Sequence, residues 1–288
     1  MKTDIIDTTA TPEEIKQMVR EKYGKIVENA GAGTNGSCCG CGPTCGDGTY
    51  TIMSEDYTQL EGYTKDADLE LGCGIPVASA AMKKGDVVVD LGSGAGNDCF
   101  VARSIVGEDG RVIGIDMTEG MVKKAKENAQ KLGYNNVEFR TGDIENIPMT
   151  SNLADVVISN CVLNLVPDKQ KAFAETFRIL KPGGHFSISD VVLNGELPLA
   201  LQTAAELYAG CVSGAIQENE YLQIIRNTGF TNIRVDKRKP IELPDELLNE
   251  IIGTAGTQAF KASGAGIYSI TVYAEKPAAT CTPGGGCC

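Results

Sequence analysis

Thiols are the reactive side chains this chain supplies in excess: eleven cysteines stand against one histidine, His185, and no tryptophan. A lone histidine nearly excludes histidine-based metal sites and cysteine–histidine nucleophile pairs. What remains is thiolate chemistry, the binding of soft ions and redox exchange. Cys161 has the most informative position. It stands in "SNCVLNLVPD" (159–168), just past "ADVVIS" (154–159), a short β-branched run that reads as a buried strand. Loops at the carboxyl ends of parallel strands are where open α/β sheets bind ligands. By itself such a cysteine is as readily a small buried hydrophobe, and Cys99 is read that way.

Composition narrows the classes. The 288 residues are 42% hydrophobic and 22% charged, enough for one large α/β domain with a small appendage. A formal net charge of −12 leaves no basic footprint for nucleic acid. The start, "MKTDIIDTTATPEE", has no apolar signal-peptide core, and no apolar run approaches membrane-spanning length, so a cytoplasmic protein with no membrane partner is expected. A secreted disulfide scaffold does not suit a chain this large and rich in core residues.

The elements that must position these thiols follow from periodicity. "TPEEIKQMVREKYGKIVENA" (11–30) opens on a capping box, with Thr11 three residues before Glu14 and Pro12 at the first helical position. The Gly/Cys-rich stretch 31–50 reads as a flexible loop, and 54–84 as helical in pieces interrupted by "LGCGIP" (71–76). From residue 86 strands and helices alternate: strands at "DVVVDLG", "RVIGID", "VEFRTG", "ADVVIS" and "GGHFSISDVV", helices at 97–106, 118–132 and 168–180. That order predicts a doubly wound, mostly parallel Rossmann-like α/β sheet. Helices at 197–211 and 218–228 follow, then strand-like "TNIRVDKR" and "GIYSITVYAEK", which either finish the sheet or build a separate layer. The expected organisation is an N-terminal helix and Cys/Gly-rich loop (1–62), a core (63–195), a substrate-binding part (196–277) and a mobile Cys-rich tail (278–288).

"VVVDLGSGAGND" (87–98) is a strand, a glycine-rich turn and a helix start. A dinucleotide fingerprint needs a third glycine at Asn97, so a pyrophosphate ligand fits poorly. The spacing D-x-G-x-G-x-G (90–96) resembles class I S-adenosylmethionine-dependent methyltransferases, whose ligand carries an amino-acid tail and no phosphate. In that resemblance Asp90, Gly92, Ser93 and Gly94 form the cofactor turn. Asp116 in "GIDMT", with Met117, takes the ribose hydroxyls. Asp143 in "TGDIENIP", with Ile144, meets the adenine, and Asn160 completes the site. His185 in "LKPGGHFSISD" (180–190) is read as structural.

Methyltransferases of this class usually place acceptor-side groups after the fourth strand, where this chain offers a thiol instead of a base. Thiolates select soft, polarisable centres. Trivalent arsenic is one: it binds up to three thiolates and keeps a lone pair that can attack a sulfonium methyl with no proton to remove. Together "LGCGIP", "DLGSGAGNDCF", "GIDMTEGMV", "SNCVLNLVPDK", "LKPGGHFSISDV" and "ELYAGCVSGAI" resemble the arsenite S-adenosylmethionine methyltransferases over roughly residues 54–230. The resemblance implies that Cys161 and Cys211 hold arsenic throughout arsenite and methylarsenite turnover. It implies that Cys73 is a third ligand, redox-paired with a cysteine of "CCGCGPTC". Cys45 is chosen by spacing, with Cys38, Cys39 and Cys41 open, and thioredoxin or glutathione is the implied reductant. Two other readings stand beside it: a carbon methyltransferase acting on a quinone- or sterol-like acceptor, and a non-catalytic thiol module holding zinc or metalloid in "CCGCGPTC".

Overall fold

A computed structural model describes residues 11–31, 55–202 and 214–279. Among them seven strands form one sheet: β1 (Val87–Leu91), β2 (Arg111–Asp116), β3 (Val137–Thr141), β4 (Ala154–Asn160), β5 (Leu180–Asn194), β6 (Thr231–Pro240) and β7 (Gly266–Glu275). Their spatial order is β3-β2-β1-β4-β5-β7-β6. The first five run parallel, and β7 enters antiparallel between β5 and β6. The last two strands therefore finish the sheet and build no separate layer.

The near-continuous apolar strands follow from burial on both faces. Val88, Val112 and Val156 pack with Phe100 and Val101 of α3 (Asn97–Val106) and with Val122 and Ala125 of α4 (Glu119–Leu132). Their neighbours Val89, Ile113 and Val157 point to the opposite cluster, with Phe173 of α5 (Lys169–Ile179) and Tyr221 of a later helix, Glu218–Thr228. A third cluster, formed by Val19, Cys73, Cys161, Leu165, Val191 and Leu248 among others, brings both candidate cysteines together.

Four elements matter for the site. The N-terminal helix α1 (Pro12–Gly31) starts with the reciprocal cap, Thr11 N–H donating to Glu14 (2.7 Å) and Glu14 N–H to Thr11 Oγ1 (3.4 Å). It is fixed to the domain by Lys16, which pairs with Asp143 (2.6 Å) and Glu145 (2.5 Å). The stretch read as helical pieces is instead turns, bends and irregular chain: of its described residues only α2 (Pro76–Ser79) is helical. Glycines at 62, 72 and 74 break it, and the chain is held by contacts with the sheet, such as Ser187 Oγ donating to Pro76 O (2.8 Å). Strand β5 outruns its neighbour, since its last pairing with β4 is Ser189 to Asn160. Residues from Asp190 onward therefore overhang the carboxyl end of the parallel strands.

Beyond α6 (Leu199–Gln202), α7 (Glu218–Thr228) matches its expected span. A further helix, α8 (Asp245–Ala262), has no counterpart in the periodicity reading. Its acidic first turn follows Pro244, but Gly253 (φ 72°) kinks it and breaks the apolar repeat. His185 is structural as expected, its Nε2 2.6 Å from Ala80 O and its ring stacked on Tyr273. The cysteines of the 38–45 loop, Cys211 and residues 280–288 of the tail lie outside the described residues.

Candidate active site

The glycine turn after β1 closes on β2. The N–H groups of Gly92 and Ser93 both donate to Ile115 O (2.7 and 3.0 Å). Asp116, at the end of β2, accepts from Gly94 N (2.9 Å) and Thr118 N (2.8 Å), so one carboxylate ties the two strand ends together. Gly94 has φ +51° and nothing within 4 Å of where a Cβ would stand. It lines the pocket, so a side chain there would occupy ligand space.

That pocket holds about 1060 Å³ out to its open mouth. Six carboxylates line it (Glu55, Asp68, Glu70, Asp90, Asp98 and Asp116), and among the described lining residues there is no lysine, arginine or histidine. Burial pushes the Asp90 carboxyl well up, with the Asp98 charge adding to it, while Cys99 donates to it at 3.2 Å. Burial likewise raises Asp98 to about 6, against the opposing hydrogen bonds from Tyr57 and Asn160. Asp116 is raised by burial too, and held back by Thr118 and Gly94. Glu55 is already paired with Lys237 (2.6 Å), and the remaining carboxylates make a wall that suits a cation better than a phosphate.

S-adenosylmethionine fits it on this chain's own features. Its sulfonium and ammonium match the carboxylates, and its ribose hydroxyls are donors for Asp116. The buried Ser93 Oγ and Asn97 Oδ1 on the wall have no protein partner. Met117, Ile144 and Asn160 line the same space. Asp143 does not: its carboxylate accepts from Lys16 and from Glu145 N (2.8 Å), while its neighbours Gly142 and Ile144 face the pocket.

Cys161 lines the same pocket. It follows β4 with φ +61°, a left-handed conformation uncommon outside glycine, asparagine and aspartate, and its N–H donates to Ser189 O (2.8 Å). Cys73 is held from both sides of its peptide. Its N–H donates to Asn160 Oδ1 (3.0 Å), and its carbonyl accepts from Ser269 Oγ. The sulfurs of Cys73 and Cys161 and a carboxylate oxygen of Asp190 all lie within 4.8 Å of one another. The three are buried, at 0%, 3% and 0% exposure. Burial pushes Asp190 up to about 7, opposed by the Lys169 charge, Val191 N–H (2.9 Å) and Tyr221 OH (3.3 Å).

Sequence reasoning missed Asp190, Asp98 and Tyr57. The first had a visible signal, an acid inside the apolar run "SISDVV". The other two had none, because their role depends on a fold that brings residue 57 to residue 98. Of the thiols, Cys73 and Cys161 meet, and Cys99 is buried in the core with its thiol on Asp90; Cys211 and Cys45 lie outside the described residues.

A methyltransferase-domain family model matches residues 82–229. The seven-stranded order, the glycine turn and the acidic pocket are those of a class I S-adenosylmethionine-dependent methyltransferase. The arsenite methyltransferase of Halobacterium salinarum is 41% identical over 280 residues, 93% of this chain and 68% of that protein. That of Aquipseudomonas alcaligenes is 33% identical over 246 residues, 83% and 68% of the two chains. The crystal structure of the arsenic(III) S-adenosylmethionine methyltransferase of Chlamydomonas reinhardtii superposes with a TM-score of 0.60 at 34% identity, covering 72% of this chain and 68% of that one. The chain belongs to the arsenite methyltransferase family.

Proposed function

We propose that this chain methylates trivalent arsenic held by cysteine thiolates, with S-adenosylmethionine as donor. The observation that carries the reading is the pair of buried sulfurs, Cys73 and Cys161, clustered with Asp190 beside a carboxylate-lined pocket that Cys161 itself lines. When bound, S-adenosylmethionine supplies an electrophilic methyl group on a sulfonium. The chain's work is then to bind and to aim. Asp90, Asp98 and Asp116 hold the cationic donor, and Cys73 and Cys161 replace oxygens of arsenite, each thiol proton leaving with hydroxide as water. By family resemblance Cys211 holds arsenic with Cys161 throughout, and Cys73 is the third ligand. No base is needed on the attacking atom, because arsenic already carries the lone pair that forms the arsenic–carbon bond.

That step takes arsenic from trivalent to pentavalent. Two protein thiols return the two electrons and become a disulfide, which we assign to Cys73 and a cysteine of 38–45, Cys45 by spacing. A dithiol or glutathione-type reductant, thioredoxin being one, then resets the pair, so methylarsenite becomes a second substrate. We place the reaction in the cytoplasm, where thiols stay reduced; among the described residues no helix is long and apolar enough to cross a membrane. A quinone- or sterol-like carbon acceptor leaves the paired sulfurs without a role.

Incubating the protein with arsenite, S-adenosylmethionine and a thiol, then resolving the arsenic species, tests the reading. Methylated arsenicals that depend on both protein and cofactor are expected. Unchanged arsenite under conditions where the cofactor binds would overturn it.

A further inference from the structure

The cofactor pocket and the thiol cluster share one residue that the mechanism above does not use for chemistry, Asn160. Its amide nitrogen carries two hydrogens but faces three acceptors: Gly74 O at 2.8 Å, Tyr57 OH at 2.9 Å and Asp98 Oδ2 at 3.2 Å. The Tyr57 hydroxyl has one hydrogen and two acceptors of its own, Asp98 Oδ1 at 2.8 Å and Gly74 O at 3.0 Å. Three hydrogens thus serve the Asp98 carboxylate, the Gly74 carbonyl and the Tyr57 oxygen. Asp98 and Gly74 compete for both donors.

The two competitors belong to different sites. Asp98 lines the cofactor pocket, and among the described residues it makes no ion pair with a lysine, arginine or histidine. Gly74 follows Cys73, and the same Asn160 accepts from Cys73 N–H through its Oδ1. The loop lies flat on the amide: a Cβ at Gly72 would stand 2.6 Å from Asn160 Nδ2. A cation docked on Asp98 supplies that carboxylate with its own hydrogens. The longest of the three bonds is then released, and the Asn160 and Tyr57 hydrogens pass to Gly74.

We propose that Asn160 is a positioning residue that couples the two sites: the cationic amino-acid end of the cofactor at Asp98 strengthens the hold of Asn160 on the Cys73 loop and so tightens arsenic binding. The inference rests on the functional reading above. Linkage makes it reciprocal, so arsenic on Cys73 must tighten the cofactor by the same factor.

The test is equilibrium titration calorimetry on the full chain without turnover. S-adenosylhomocysteine keeps the ammonium but lacks the transferable methyl; methylthioadenosine keeps the adenosine and the thioether but has no amino-acid end. Saturating S-adenosylhomocysteine should lower the arsenite Kd about fivefold or more, and arsenite should lower the S-adenosylhomocysteine Kd equally. Methylthioadenosine should bind and leave the arsenite Kd unchanged. In Asn160→Ala the coupling factor should fall to near one, whatever the change in either separate affinity. Asp98→Asn should lose the coupling with Asn160 intact, which covers an alanine variant that fails to fold. Equal coupling by the two nucleosides, or none in the wild type, would overturn the inference while leaving arsenite binding in place. A wild-type protein that does not bind arsenite would overturn the functional reading and this one with it.

Discussion

The two halves of the site are built on opposite physical plans. The cofactor half is open and charged, with six carboxylates around a solvent-connected pocket. The thiol half is closed and nearly apolar, with Cys73 and Cys161 packed among Leu165, Val191 and Leu193. A cationic donor that must enter and leave each cycle is recruited by field and released to water, so its pocket is open. Thiols that must hold a soft ion and resist stray oxidation are shielded, and burial does that. Asp190, a buried carboxyl inside the shielded half, is also the residue that the overhang of β5 places next to the two sulfurs.

The largest effect that would break the comparison comes from the closed half. Cys161→Ser keeps the size and the hydrogen-bonding backbone but removes the soft donor. Arsenic methylation should fall below detection, and the same holds for Cys73→Ser acting on arsenite. S-adenosylmethionine affinity, read by calorimetry, should stay within about twofold in Cys73→Ser. Near-wild-type turnover in either variant would remove the sulfurs from the mechanism. Loss of cofactor affinity in Cys73→Ser would mean that the halves are not separable.

The next effect comes from the open half. Asp116→Ala strands the N–H groups of Gly94 and Thr118 and removes the acceptor proposed for the ribose. Cofactor binding should weaken by about 1–3 kcal/mol, the range for losing a charge-assisted partner. Arsenite affinity measured without cofactor should not move. An unchanged cofactor affinity would put the ribose contact elsewhere on the acidic wall.

The same contrast explains what could be read from the chain. Asp90, Gly94 and Asp116 sit on consecutive strand ends, so their relation is a spacing, and spacing survives in sequence. The cysteines were legible as a type and, through resemblance, as a set. Their geometry was not, since Cys73 meets residue 160 across 87 positions only because "LGCGIP" runs as bent, irregular chain against Asn160. Asp143 shows the opposite failure. Its position after β3 is regular, but Lys16 from a distant helix takes its carboxylate, and no local pattern announces a partner 127 residues away. Helix α8 was missed because Gly253 breaks the repeat that periodicity needs.

The smallest expected effect sharpens the comparison most, because it measures the charge of the open half directly. Burial raises Asp98 from the usual aspartate value of 3.8 to about 6. The folded protein therefore binds this proton more tightly than the unfolded chain does. The stability that follows is fully present below about pH 3.8 and is lost as pH rises through about 6. Asparagine at this position is neutral at every pH, so Asp98→Asn removes the dependence. Relative to wild type, the variant without cofactor should gain about 1–2 kcal/mol between pH 5 and pH 8. At about 2–4 °C per kcal/mol that is a visible divergence of the two melting curves. Saturating S-adenosylmethionine should close the gap from the wild-type side only, because an ammonium on Asp98 removes the penalty of its charge. Parallel melting curves across that range would mean that water already solvates Asp98 in the folded state, and the open half would then hold its donor by shape, without a poised charge.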